Sequence, residues 1–279
     1  MLKLAKIIFE DEWILVVDKS AGVVVNRAQT ISAKTLQDDL LEYFRSKSDS
    51  KTSSKTRSDL VLNQGIRGRA GIVHRLDKET SGLLVVAKVQ KAFDDLQSQF
   101  KNRKVEKKYI ALVHGLIKED EGNIEQSIVR IASFGKFGIA KRDDIGVREA
   151  HTIYKVVDRF EINDKLISGS DLNQGPTLNK NRVRYLKQNA KEYSLLDVFP
   201  KTGRTHQIRV HLKAIGHPVV SDLIYGPGKL IKFDLTWCPR LFLHASEISF
   251  DHPKTKKSVS FDADLPKDLK DVILNLNKV

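Results

Sequence analysis

The stretch "HRLDKETSG", residues 74–82, places a histidine, two cations, two carboxylates and two hydroxyls in nine positions, ahead of the apolar run "LLVVAK". If that run is a buried strand, the preceding residues form the loop entering it, where side chains are held by a rigid element yet stay accessible. Asp77 follows Arg75 by two residues and precedes Lys78. Two readings of it are open: a turn carboxylate facing water, or a carboxylate held ionised by nearby cations so that it can react.

A second chemistry-bearing stretch is "KTGRTHQIRVHLKAIGHP", 201–218, with Arg204, His206, Arg209, His211, Lys213 and His217 around a helical stripe. A turn leading into a helix start is a good anion receptor. Arg209 adjoins Ile208 on the apolar side, so it is expected near the core, placed for a bidentate pair with a carboxylate. The alternative is a basic amphipathic helix with a solvated polar face. His206 and His211 are five apart, not the four that puts a metal pair on one helical face. In "EKKYIALVHG", 106–115, apolar residues point both ways along a strand. That strand is expected to be central, and Tyr109 at its entrance is either a structural tyrosine or a platform for a base.

The elements that position these groups follow from periodicity. "WILVV", "GLLVVA", "YIALVHGL", "HTIYKVV", "YSLLDVF", "LFLHASEISF" and "KSVSFDA" read as strands, rich in Val, Ile, Leu and aromatics between turn residues. Helices are expected over "SAKTLQDDLLEYF" with Ser32 as N-cap, and over "KAFDDLQSQFKNR" with Phe93, Leu96 and Phe100 on one stripe. Two more are expected: "THQIRVHLKAIG", capped by Thr205 and ended by Gly216, and the tail "LKDVILNLNK". Neighbouring strands without strict alternation of helices point to an α+β fold on a mainly antiparallel sheet. No repeat of 20–50 residues is visible. "SKSDSKTSSKTRSD", 46–59, is expected to be a mobile basic loop, and about 163–190 a polar insertion serving as a partner-contacting arm or an idle surface loop. The chain is read as one decorated domain spanning 1–279.

Charge narrows the partner. Lys and Arg number 48 against 35 Asp and Glu, a formal charge of +13, which favours a polyanion through counterion release. The single cysteine, Cys238, excludes an internal disulfide and a cysteine-based zinc cluster. The opening residues lack a signal-peptide apolar block, and no stretch approaches the roughly 20 apolar residues of a membrane span. A soluble, reducing, cytoplasmic setting is expected.

Taken in order, "HRLDKETSGLLVVAK", "KKYIALVHG" and "KTGRTHQIRVHLKAIGHPVVSDLIYG" closely resemble the RluA-type pseudouridine synthases, which isomerise uridine in RNA. The resemblance runs from about residue 5 to about 265, with "IIFEDEWILVVDKSAGVVV" similar to the family's opening strand and turn and "PRLFLHASEISFDHP" to its Leu-His-Ala strand. It implies an α+β domain with a mixed, mainly antiparallel sheet and a central active-site cleft. It implies Asp77 as the essential carboxylate, Tyr109 as the ring against the target base, and Arg209 as the guanidinium that salt-bridges Asp77. Arg75 matches the arginine of the family's HRLD block, with His74, Arg204 and His206 as further RNA contacts. No metal and no cofactor are implied, and the expected partner is ribosomal or transfer RNA, met by a monomer with no obligate protein partner. The carboxylate then either attacks the sugar carbon C1′ or removes the C2′ proton.

Three features depart from the family pattern. Ser20 in "DKSAG" stands where many members have proline, the 163–190 stretch is longer than usual, and no N-terminal S4 RNA-binding module fits ahead of Lys6. RNA choice is therefore expected to rest on the catalytic domain, leaving transfer RNA open beside ribosomal RNA. The rival reading is a non-catalytic RNA-binding or ribosome-assembly factor on the same scaffold. An Asp-dependent hydrolase is disfavoured, because no second acid/base group stands at a recognisable spacing.

Overall fold

In the computed structural model, residues 2–28, 32–49, 68–131, 135–163 and 180–279 are described. The chain runs β1 (Ala5–Glu10), β2 (Ile14–Lys19), α1 (Leu36–Asp49), β3 (Ser81–Ala87), α2 (Gln90–Lys101) and β4 (Glu106–His114). It continues through β5 (Glu121–Ile124), β6 (Ile128–Arg130), β7 (Phe137–Ile139), β8 (Thr152–Ile162), α3 (Lys180–Asn189) and β9 (Glu192–Pro200). The remaining elements are α4 (Gln207–Ala214), α5 (Gly228–Trp237), β10 (Leu243–Asp251), β11 (Ser258–Asp262), α6 (Lys267–Leu274) and β12 (Leu276–Lys278). The chain folds into two compact units, Met1–Lys107 with Ala245–Ala263, and Lys108–His244 with Asp264–Val279.

The first unit carries the strand order β1-β2-β3-β10, with β11 on β10. β2 and β3 are antiparallel, from Ile14 opposite Ala87 to Lys19 opposite Gly82. All seven residues of β3 are buried, which explains its unbroken apolar run: a strand covered on both faces has no polar side to alternate. Phe93 and Leu96 of α2 pack on Ile14, Val16, Leu83 and Val85, so the expected stripe is the one used. Helix α1 starts later than Ser32. Thr35 Oγ1 accepts from the Asp38 amide, and the Thr35 amide donates back to Asp38 Oδ2 at 2.9 Å. That reciprocal pair closes the helix end more completely than an isolated serine three residues earlier. The first residues of the expected 46–59 loop prolong α1, and the rest of that loop lies outside the described residues.

The second unit carries the order β4-β9-β8-β12, with β5 on β8 and a separate β6–β7 hairpin. β4 and β9 are antiparallel from Tyr109 opposite Val198 to His114 opposite Tyr193. Ala111, Leu112 and Val113 are fully buried, as the two-sided apolar pattern of β4 predicts. A bulge in β8 between Val156 and Asp158 leaves Val157 unpaired and half-exposed. The tail is not one helix. α6 buries Leu269 and Val272, then the chain turns so that Leu276–Lys278 pair with Ile162–Phe160 of β8. An open strand edge offers backbone partners that a frayed last helical turn lacks. Of the expected 163–190 insertion, Lys180–Asn189 is helical and 164–179 lie outside the described residues. The α+β class on a mainly antiparallel sheet is borne out. Among the described residues no helix is long and apolar enough to cross a membrane.

Candidate active site

The loop carrying Asp77 belongs to the first unit. Just before it, Ile72 bridges Val86 and the Ala87 amide donates to the Gly71 carbonyl, so the approach to the loop is pinned along β3. Within it, the Thr80 amide donates to the Asp77 carbonyl at 3.2 Å. The fully buried Lys19 places its ammonium on three carbonyls, those of Ser20 at 2.8 Å, Val23 at 3.0 Å and Lys78 at 3.1 Å. A buried ammonium is tolerated when all three donors are used, and here that requirement ties the end of β2 to the residue following Asp77. At the exit, a Cβ on Gly82 would stand 2.3 Å from the Ala245 carbonyl oxygen, so only glycine fits where loop becomes strand. Asp77 itself is half-buried and Arg75 exposed.

His74 is held within the first unit. Its Nε2 accepts from the Val85 amide at 2.9 Å, and its ring stacks on Phe100 with centroids 4.6 Å apart. Burial, with a further push from the Lys107 charge, brings its pKa down to about 3, so the ring stays neutral. The ring binds β3 to the loop through Nε2. Burial also brings the Lys107 ammonium down to about 8.

Tyr109, Arg204, His206 and Arg209 belong to the second unit. Tyr109 sits near the start of β4, its ring half-buried against the core. Gln207 organises the turn before α4. Its Oε1 accepts from Thr202 Oγ1 at 2.6 Å and from the Arg204 amide at 3.0 Å, and its Nε2 donates to the His151 carbonyl at 2.9 Å. Thr205 is therefore not the cap. The N-cap position is His206, in the left-handed conformation with φ 56°. The other end follows expectation: Gly216, with φ 88°, donates to the Lys213 carbonyl and His217 to the Leu212 carbonyl, the two bonds of a Schellman turn. His211 is internal, its ring between Thr152 Oγ1 at 2.9 Å and the Gln126 carbonyl at 2.8 Å, and burial lowers its pKa. Arg204 donates through Nε to the Glu149 carbonyl at 2.9 Å.

Arg209 is anchored, as its place beside Ile208 suggests. Only 4% exposed, it donates through Nε and one Nη to the two oxygens of Asp222, at 2.8 and 2.7 Å. Asp222 Oδ1 also accepts from the amides of Ile224 at 2.9 Å and Tyr225 at 3.0 Å. The guanidinium carbon lies 5.1 Å from the centre of the Tyr225 ring. Charge, hydrogen bonds and aromatic face thus fix one orientation of the cation. Sequence patterning did not single out Asp222, Tyr225 or Lys19. The signal for the first two is the spacing D-x-x-Y-G in "SDLIYG", a turn in which an aspartate binds the amides that follow it. Among the described residues, no group of three or more His, Cys, Asp or Glu side chains could hold a metal ion.

A profile of the RNA pseudouridylate synthase family matches residues 13–214. The "Uncharacterized RNA pseudouridine synthase YlyB" of Bacillus subtilis is 36% identical over 272 residues, 98% of this chain and 73% of the relative. The "Ribosomal large subunit pseudouridine synthase D" of Zymomonas mobilis is 33% identical over 267 residues, 95% of this chain and 70% of the relative. The chain belongs to the RluA-type RNA pseudouridine synthases. It is an isomerase acting on uridines in RNA, and the expected family and activity are borne out. The synthase also shares its fold with human RNA pseudouridylate synthase domain containing 1, at a TM-score of 0.67 and 25% identity over 100% of this chain and 90% of that one. Within the synthase, Arg204, His206 and Arg209 cluster at the start of α4, while the Asp77 loop is organised by Lys19 and Gly82 in the other unit.

Proposed function

We propose that Asp77 is the reacting carboxylate of this synthase, acting on a uridine flipped out of the RNA. Arg209 is its counter-ion and Tyr109 the ring that packs against the uracil. Isomerisation breaks the bond from N1 to C1′, turns the base and joins C5 to C1′, while the C5 proton is lost and N1 gains one. Nothing is oxidised or hydrolysed, so one carboxylate serves, with a guanidinium as its counter-ion. Extruding the base costs roughly a few kcal/mol. Stacking on an aromatic ring returns about 1–3 kcal/mol, and the +13 charge supplies phosphate contacts for the remainder. Arg75, His74, Arg204 and His206 contact the RNA.

The observation that carries this reading is the Arg209 guanidinium, desolvated, bidentate on Asp222 and stacked on Tyr225. A cation held that firmly is suited to stabilising a charged partner rather than to roaming in solvent. The name of the Zymomonas mobilis relative favours large-subunit ribosomal RNA over transfer RNA as substrate, and the synthase works as a cytoplasmic monomer. Asp77→Asn is expected to bind RNA within a few-fold of wild type yet release no tritium from uracil C5. Wild-type release by Asp77→Asn would remove Asp77 from the chemistry. Absence of release by the unaltered protein on bulk RNA would favour the non-catalytic RNA-binding reading. Pseudouridine maps of ribosomal and transfer RNA from cells lacking the protein identify the substrate.

A further inference from the structure

His74 and Lys107 belong to the first unit, and both are half-buried. The Val85 amide can only donate, so His74 Nε2, 2.9 Å away, accepts from it and carries no hydrogen. With its pKa brought down to about 3 the ring is neutral, and its one hydrogen lies on Nδ1. Among the described residues nothing accepts that hydrogen.

Lys107 is the second residue of β4, close enough for its charge to act on the His74 ring. Among the described residues its ammonium makes no hydrogen bond and no ion pair. Burial brings it down to about 8 and no anion opposes the shift, as for a cation that has lost water without gaining a partner. Lys19, in the same unit, is the contrast, with three carbonyls around its ammonium. A desolvated ammonium near an imidazole N–H is unfavourable in the free protein, and an oxygen anion accepts from both. His74 lies three residues before Asp77, and the anionic groups of RNA are its phosphates.

We propose that His74 Nδ1 and Lys107 Nζ together hold one phosphate of the bound RNA, beside the loop that carries Asp77. The proposal rests on the reading of His74 as an RNA contact, and the signal of its ring separates the two claims.

The full chain labelled with ¹⁵N in its histidine rings reads the first donor. His74 is expected to carry hydrogen on Nδ1 and none on Nε2. A short oligouridylate is expected to shift the Nδ1 signal, and uridine, which has no phosphate, to leave it in place. Hydrogen on Nε2 overturns the proposal. An equal shift with uridine also overturns it, while leaving His74 an RNA contact. No shift with either ligand removes His74 from RNA binding and sinks both claims. Lys107→Met removes the second donor and keeps an apolar stem. It is expected to raise KM for C5-tritium release from bulk RNA of cells lacking the protein about ten-fold, the scale of one charge-assisted hydrogen bond, with a smaller change in kcat. The slope of log KM against log salt should fall by about 0.7, the share of one phosphate on a single strand. Lys107→Arg keeps the charge and is expected to stay within about three-fold of wild type. Because the ammonium has no partner before RNA binds, Lys107→Met is expected to melt no lower than wild type. An unchanged KM in Lys107→Met, or a loss that Lys107→Arg shares in full, overturns the proposal. A raised KM with a lower melting temperature reduces Lys107 to a structural residue.

Discussion

The Arg209–Asp222 pair allows a perturbation whose size follows from its surroundings. Asp222 is fully buried and Arg209 is 4% exposed, so neither charge is hydrated when the other is lost. Asp222→Asn is the informative change. Its Oδ1 still accepts from Ile224 and Tyr225, so the turn keeps its amide partners. What disappears is the charge opposite the guanidinium, and an amide N–H group now confronts the guanidinium. Removing one partner of a buried pair costs about 3–5 kcal/mol. At roughly 2–4 °C per kcal/mol for a body of this size, the melting temperature drops by about 6–20 °C. Thermal unfolding followed by circular dichroism reads this directly. Turnover falls as well, by as much as about 10²-fold, the cost of misplacing a group by an ångström. The control is Arg209→Met with Asp222→Asn, which removes both charges of the pair and recovers most of the lost stability, though not turnover. If Asp222→Asn melts within about 2 °C of wild type, or if the double variant is no more stable than the single, the pair is not the buried anchor described.

Two further outcomes test the first unit. Gly82→Ala drives a Cβ to 2.3 Å from the Ala245 carbonyl oxygen and 2.6 Å from its nitrogen, both backbone atoms, at φ 118°; a loss of more than about 4 kcal/mol, read as insoluble or molten protein, is expected, and a well-folded variant would show that β3 and β10 can part there. Glu10 is the acid-sensitive group. Burial alone would raise its pKa, but hydrogen bonds from Lys47, Lys88 and Tyr43 bring it from 4.5 to about 2. A pKa depressed on folding contributes stability that is complete above about 4.5 and lost as pH falls towards 2. Glu10→Gln should therefore flatten the acid limb of stability in that window, as measured by urea unfolding at a series of pH values.

The sequence by itself marked the principal strands, because buried strands such as β2, β3 and β4 must be apolar on both faces. It also marked the charged stretches 74–82 and 201–218 as the places to look for chemistry. Arg209 was legible as an anchored cation because Ile208 beside it has to be buried. The tertiary structure alone decided the partners. Asp222 lies 13 residues beyond Arg209, Lys19 meets Lys78 across 59 residues, and Tyr225 meets Phe137 across 88. Local periodicity carries no information about contacts at such separations. The same holds for capping: the Thr35–Asp38 exchange displaced Ser32, because that side chain reaches a free amide, and the N-cap position of α4 fell to His206 rather than Thr205. His74 shows the limit most plainly. Nothing in the local pattern predicts that its Nε2 accepts from the Val85 amide, 11 residues further on.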